Sequence, residues 1–327
     1  MRGLVLVTGA TGLIGRYVVE QLLERGTSVR VLARDPSRLA QPVQQRADIV
    51  QGALTDRATL ERAVDGVGLV VHLAACARAW SSDPDEFTAV NVRGVELLLA
   101  AATRARVARV VHVSTVLTLP ELWPGPTGMA AETTPYVATK LAGEQLVDRW
   151  AASGGDAVVV HPTRVYGPGP MNDANGVTRL VAMYLSWPIA CHLDDGDVLA
   201  NYVHAADVAA GILLAAGRGR SGAHYILGGE NSSLRGLLGL VGEISGVRRP
   251  LVGIPRPAAI AAAHAAVLWG RMGGSTVMTP AWVRSCLTDQ RVSSEAAGRD
   301  LGYRPRSLRQ GLEETIAWLR PQLPAAS

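Results

Sequence analysis

Residues 8–15 read Thr8-Gly9-Ala10-Thr11-Gly12-Leu13-Ile14-Gly15 and follow the apolar run Leu4-Val5-Leu6-Val7. Glycines at this spacing allow a tight turn, close backbone approach to a pyrophosphate, and close packing of a helix on a strand. The helix that begins there would offer free N–H groups and the positive end of its dipole to phosphate. A glycine triplet alone says little. Here it opens a strand–helix–strand unit, the context in which it points to a dinucleotide.

Working outward, the pattern predicts strands at 4–8, 28–33, 49–51, 69–73, 110–114 and 157–161. Amphipathic helices are expected between them near 13–25, 58–64, 85–105 and 136–152. Such alternation makes an α/β fold, a Rossmann-type doubly wound parallel sheet. After His161 the rhythm breaks at Gly167-Pro168-Gly169-Pro170. A mixed second half follows, with helices near 177–185, 205–216, 234–244, 257–269, 293–301 and 308–319 and strands at 200–204 and 224–227. The expected division is a dinucleotide-binding domain at 1–166, completed by 199–228, and a smaller substrate lobe at 167–198 and 229–327. The lobe should lie at the strands' carboxyl ends, where open α/β sheets take their ligands.

Composition narrows the class. Of 327 residues, 48% are hydrophobic and only 18% charged, which suits a full core and excludes wholesale disorder. No apolar run reaches the roughly 20 residues of a membrane span, and residues 1–8 lack the features of a signal peptide. Cys76, Cys191 and Cys286 are scattered without metal-binding spacing, as free thiols in a reducing cytoplasm would be. A net charge of +4 without long like-charge runs argues against a nucleic-acid partner. The expectation is a soluble cytoplasmic enzyme with no metal, membrane or nucleic-acid site.

The end of the second strand bears on the choice of dinucleotide. A site for NAD commonly places an acid there for the ribose 2′-hydroxyl, whereas a nearby arginine accommodates the 2′-phosphate of NADP. This chain has Ala33-Arg34-Asp35-Pro36-Ser37-Arg38. Arg34, with Arg38 behind it, can fork onto a phosphate. Asp35 either starts a turn or serves the ribose of NAD, so NADP is favoured and NAD stays open.

The reacting groups come from a third cluster. Of 32 basic residues only Lys140 is lysine, and it sits in Tyr136-Val137-Ala138-Thr139-Lys140. Positions i and i+4 share a helix face. Lys140 can therefore bind the nicotinamide ribose and depress the tyrosine pKa, which makes Tyr136 a proton donor to a carbonyl oxygen. Ser114-Thr115 ends the fifth strand and supplies a hydroxyl for the same oxygen.

With these segments in view, the chain resembles an extended short-chain dehydrogenase/reductase. Its look is nearest to the dihydroflavonol-reductase-like and hopanoid-associated epimerase-like members. Further segments that carry the likeness are His72-Leu73-Ala74-Ala75, Asn91-Val92-Arg93-Gly94, His161-Pro162-Thr163-Arg164-Val165-Tyr166-Gly167-Pro168, Tyr202-Val203-His204-Ala205-Ala206-Asp207-Val208, Tyr225-Ile226-Leu227-Gly228-Gly229 and Leu301-Gly302-Tyr303-Arg304-Pro305. The resemblance implies catalytic Thr115, Tyr136 and Lys140, with Thr115 in the usual serine's place. It implies a cofactor held by Gly9, Thr11, Gly12, Leu13, Ile14, Gly15, Arg34, Leu54, Leu73, Ala74, Ala75, Lys140, Pro162 and Val165. It also implies a homodimer through the helices near 85–105 and 136–152, the alternative being burial of those faces on the chain's own sheet.

The chain departs from the family pattern after the third strand, where Gly52-Ala53-Leu54 lacks the acid expected on adenine. With Phe87 the only phenylalanine, stacking on a flat substrate falls to Trp80, Trp123, Tyr166 or Tyr202. His72 reads as a core histidine rather than a base. Asn91 reads equally as a structural bond or an organiser of the site. Arg78 reads as a substrate contact or a solvated residue, Arg164 as an anion grip or half of an internal ion pair, and residues 117–133 as a loop over the site. The expected activity is NADPH-dependent reduction of a ketone or aldehyde on a small to medium hydrophobic substrate. The rivals are a nucleotide-sugar epimerase or dehydratase that retains NAD, against which stands the lack of a basic cluster in 167–196, and a dinucleotide-sensing protein without catalysis.

Overall fold

The computed structural model describes residues 3–78, 81, 83–122, 134–271 and 279–323. Strands β1 (Leu4–Thr8), β2 (Val29–Ala33), β3 (Asp48–Gln51), β4 (Val67–His72), β5 (Arg109–Val113) and β6 (Ala157–Pro162) are followed by β7 (Arg164–Tyr166), β8 (Ala190–Leu193), β9 (Leu199–His204), β10 (His224–Leu227), β11 (Glu230–Ser233) and β12 (Leu251–Ile254). Seven of them form a parallel sheet in the order β10-β6-β5-β4-β1-β2-β3. The strand order reverses beside β1, the switch point where doubly wound sheets bind dinucleotides.

Helices α1 (Leu13–Glu24), α2 (Gln41–Arg46), α3 (Arg57–Val64), α4 (Asp85–Thr88), α5 (Gly94–Arg104) and α6 (Pro135–Ala152) belong to the first half. The second half supplies α7 (Gly176–Ser186), α8 (Ala205–Arg218), α9 (Leu234–Ser245), α10 (Arg256–Arg271), α11 (Pro280–Cys286), α12 (Glu295–Leu301) and α13 (Leu308–Leu319). The central strands are valine-rich and apolar on both faces, as a sheet covered on both sides requires. On one face Val5, Val7, Val31, Val71 and Val111 pack with Val18 and Leu22 of α1 and Val208 and Ile212 of α8. On the other, Leu6, Leu32 and Val70 meet Leu60 of α3, Leu98 of α5 and Val147 of α6. A third core joins Val181, Leu237, Leu238 and Leu312 in the C-terminal half.

The expected α/β architecture is present, with two differences in its second half. Strand β9 joins a three-stranded sheet with β7 and β11 rather than the main sheet, which gains β10 alone from 199–228. A parallel pair, β8 with β12, makes a further small sheet. Among the described residues, no helix is long and apolar enough to cross a membrane.

Candidate active site

Gly9 has a φ of 78°, and a side-chain carbon there would sit 2.7 Å from the backbone of Leu73 and Ala74. A carbon on Gly15 would strike the Gly9 carbonyl at 2.2 Å. Glycine at these positions lets the turns after β1 and β4 touch while α1 starts beneath them. Thr8 fastens the same junction: its hydroxyl lies 2.7 Å from His72 Nδ1 and accepts from Ala74 N–H at 3.2 Å. Burial holds the His72 pKa down at about 3, so this ring is a neutral core member and not a base, as its sequence context indicates.

α1 begins at Gly12, which has no side chain to cap the helix. Beside this open N-terminus lies a surface cavity of about 310 Å³ lined by Thr11, Arg34, Asp35 and Arg38. The Asp35 carboxylate is occupied, accepting from Ser37 N–H at 3.1 Å and Ser37 Oγ at 2.6 Å as the cap of a short 3₁₀ turn. These hydrogen bonds hold its pKa below the ordinary carboxylate value. The exposed Arg34 guanidinium makes no hydrogen bond or ion pair among the described residues. A dinucleotide's phosphates fit this surface, with uncapped N–H groups from α1 on one side and two guanidiniums on the other. The first acid after β3, Asp56, caps α3 by accepting from the Ala58 and Thr59 N–H groups at 3.2 Å. Leu54 is buried and packs tightly against Gly94.

Across the sheet, α6 brings Tyr136 and Lys140 to the carboxyl end of β5. Lys140 is 4% exposed, and its Nζ donates to the Val113 carbonyl at 2.7 Å. Burial lowers its pKa to about 8, with Glu144 one turn on opposing the shift. Burial pushes the Tyr136 pKa up to about 12, against the lowering effect of the neighbouring Thr115 hydroxyl. The expectation that Lys140 depresses the tyrosine is thus corrected: the lowering contact is Thr115, and the ammonium is turned to a backbone carbonyl. Of the two hydroxyls ending β5, Ser114 turns away and donates to Glu144 at 2.6 Å.

Asn91 is buried in a π-helical turn at Ala89–Arg93 between α4 and α5, an irregularity common at functional sites. Its Oδ1 accepts from Cys76 N–H at 2.8 Å; its Nδ2 donates to the Cys76 carbonyl at 3.2 Å and to Thr139 Oγ1 at 3.0 Å. It therefore clamps the segment after β4 to the helix carrying Tyr136 and Lys140. At this crossing a side-chain carbon on Gly143 would lie 2.3 Å from the Asn91 carbonyl oxygen. We expect Gly143→Ala to cost about 1–3 kcal/mol through overpacking against backbone. Urea unfolding with an unchanged midpoint would show that the two helices separate freely.

Other expected contacts resolve differently. Arg78 pairs with Glu86 at 3.2 Å, and Arg164 donates to Gln290 Oε1 at 3.1 Å, so neither ion-pair partner nor anion is needed to explain Arg164. Tyr166 and Tyr202 are 1% and 3% exposed inside the third core, which removes them as stacking platforms. Trp80, Trp123 and most of the expected 117–133 loop lie outside the described residues. Pro162 is buried at the end of β6, with Val165 half-buried on β7.

Comparison with known proteins matches residues 5–228 to the model of the NAD dependent epimerase/dehydratase family. The chain belongs to that family. A family relative, the 4-hydroxy-2-methyl-3-oxo-4-farnesyl-3,4-dihydroquinoline-1-oxide ketoreductase of Stigmatella aurantiaca, is 35% identical over 94% of both chains. Sterol demethylase protein B of Methylococcus capsulatus is 30% identical, covering 96% of this chain and 98% of the relative. The UDP-glucose 4-epimerase of Thermus thermophilus, solved with NAD, superposes with a TM-score of 0.74 at 25% identity over 97% of this chain and 99% of that one. As a member of the epimerase/dehydratase family, the protein is an NAD(P)-dependent enzyme of the oxidoreductase type.

Proposed function

We propose that the protein is an NADPH-dependent reductase of a ketone or aldehyde carried on a hydrophobic substrate. The observation that carries this reading is the cavity beside Gly12, where Arg34 and Arg38 face a site whose one carboxylate is tied to Ser37. Arg34 and Arg38 would hold the 2′-phosphate, the α1 N-terminus the pyrophosphate, and Lys140 the nicotinamide ribose. When bound, the cofactor supplies hydride. Tyr136 remains protonated over the whole neutral range and donates its proton to the carbonyl oxygen, while Thr115 fixes the direction of that hydroxyl. The Lys140 charge serves the ribose hydroxyls, its ammonium being held at the Val113 carbonyl rather than at the tyrosine. The apolar substrate class is supported by the two relatives' names and by the C-terminal half. There Met171, Met183, Trp187, Ile189, Val252, Leu268 and Trp269 are the large apolar side chains left exposed among the described residues.

Where the hydride goes separates this reading from a sugar-nucleotide epimerase. A reductase exchanges its dinucleotide at every turnover; an epimerase returns hydride to the same molecule and keeps the cofactor. The chain's Asp56 is committed to capping α3, so one polar anchor for permanent retention is missing. We expect purified protein to be largely free of dinucleotide and to oxidise one NADPH per carbonyl reduced. Stoichiometric NAD surviving gel filtration, with isomerised sugar nucleotide and no net redox change, would establish the epimerase instead.

The pH dependence follows from two opposite shifts. Reduction needs Tyr136 protonated and Lys140 charged. Tyr136 holds its proton to about 12, whereas Lys140 loses its own near 8. kcat/KM for reduction should therefore be level below pH 7 and fall above about 8. In the slower Lys140→Arg enzyme, whose guanidinium stays charged, that limb should disappear. A limb persisting at the same pH would assign it to another group.

A further inference from the structure

Behind the Tyr136–Lys140 face, three elements meet at a cluster of nitrogen and oxygen donors. Glu144 comes from α6, His161 from β6 and His224 from β10, and one donor atom from each lies within 4.8 Å of the others. His161 Nδ1 sits 3.1 Å from the Thr115 carbonyl, which can only accept, so Nδ1 carries the hydrogen. His224 Nε2 sits 2.9 Å from Asp148 Oδ1, and a carboxylate likewise only accepts, so Nε2 carries the hydrogen there. These outer contacts leave His161 Nε2 and His224 Nδ1 as bare lone pairs, and the two atoms face each other at 3.1 Å. At that distance the two nitrogens are bridged either by a proton or by a metal ion. Glu144 Oε1, 3.5 Å from His224 Nδ1, supplies negative charge on the same side.

We propose that Glu144, His161 and His224 form a binding site for a divalent metal ion of the zinc class. The donor set of two imidazoles and one carboxylate suits Zn²⁺ and its neighbours Co²⁺ and Ni²⁺. Tetrahedral Zn²⁺ with ligand bonds near 2.0–2.1 Å places its ligand atoms about 3.3–3.4 Å apart; the His161–His224 and Glu144–His224 spacings are 3.1 and 3.5 Å, and the third lies within 4.8 Å. Each ligand already has the outer partner that metal-binding side chains require. Asp148 orients His224, the Thr115 carbonyl orients His161, and Ser114 with Thr118 bonds Glu144 Oε2 at 2.6 and 3.0 Å. His224 and Asp148 are 34% and 43% exposed, which gives an ion its entry and a water the fourth position. A bound ion would tie the helix bearing Tyr136 and Lys140 to β6 and β10. The site does not depend on the identity of the carbonyl substrate.

The test uses the full-length protein stripped with chelator and titrated with Co²⁺, followed by visible absorption, with Zn²⁺ as competitor. We expect one Co²⁺ per chain with ligand-field bands of a low-coordinate site, displaced by Zn²⁺, and a higher Tm in Zn²⁺. His224→Ala should lose at least tenfold in affinity and the Tm response. Asp148→Asn should weaken binding by about 10–100-fold. His264→Ala, an exposed histidine on α10, should behave as the parent. Absence of saturable binding, or binding that His224→Ala leaves unchanged, overturns the site and assigns the space between the rings to a shared proton.

Discussion

Replacing Tyr136 with phenylalanine is expected to lower kcat/KM for carbonyl reduction by about 10²-fold or more, with NADPH affinity changed less than about twofold. The substitution removes the one hydroxyl that can deliver a proton and keeps the half-buried ring in place. Thr115, whose Oγ1 accepts from the Leu117 N–H at 3.3 Å, cannot take over, because an alcohol gives up a proton far less readily than a phenol. Cofactor affinity should survive because the phosphate surface at Thr11, Arg34 and Arg38 is built by the turns after β1 and β2, not by α6. Single-turnover hydride transfer and a fluorescence titration of NADPH separate the two quantities. Near-parental turnover would remove Tyr136 from the chemistry, and a parallel collapse of NADPH binding would make it a binding residue.

The Rossmann half of the molecule was legible because its physics is local. Runs such as Val29–Ala33 and Ala157–Pro162 are mostly apolar, and helices such as α1 and α3 carry one apolar stripe. β11 has no such signature: Glu230-Asn231-Ser232-Ser233 is a strand only because β9 lies beside it. β7 and β12 are equally short and become strands through partners distant in sequence. The π turn at Asn91 left only a weak trace, an asparagine in mid-helix, and its partners Cys76 and Thr139 came from elsewhere in the chain. The position of Tyr136 and Lys140 on one face followed from their spacing, but their pKa values did not. Those depend on burial and on which atom the ammonium meets, here the Val113 carbonyl. Tyr166 and Tyr202 were misread for a related reason, since an aromatic ring does not announce whether it lines a cleft or fills a core. Glu144, His161 and His224 lie on three elements and form no motif, so only the fold brings them together.

Cofactor preference should turn on Arg34. In the Arg34→Ala variant, kcat/KM with NADPH is expected to fall by about 10–100-fold, the equivalent of a charge-assisted hydrogen bond of about 1.5–3 kcal/mol. With NADH, which offers a ribose hydroxyl at that position, the same variant should change less than about threefold. The asymmetry follows from what surrounds the cavity. Its one carboxylate already accepts two hydrogen bonds from Ser37, so removing a guanidinium frees no acid to take up the 2′-hydroxyl. Arg38 would retain part of the attraction for phosphate, which is why Arg34→Ala combined with Arg38→Ala should exceed the single change. Ser37→Ala provides the complementary arm: it releases one hydrogen bond from Asp35 and should improve NADH without helping NADPH. Equal losses with both cofactors after Arg34→Ala would mean that the arginine supports the turn after β2 rather than the phosphate. Efficiencies that stay at the parental level with both cofactors would place the 2′-phosphate elsewhere.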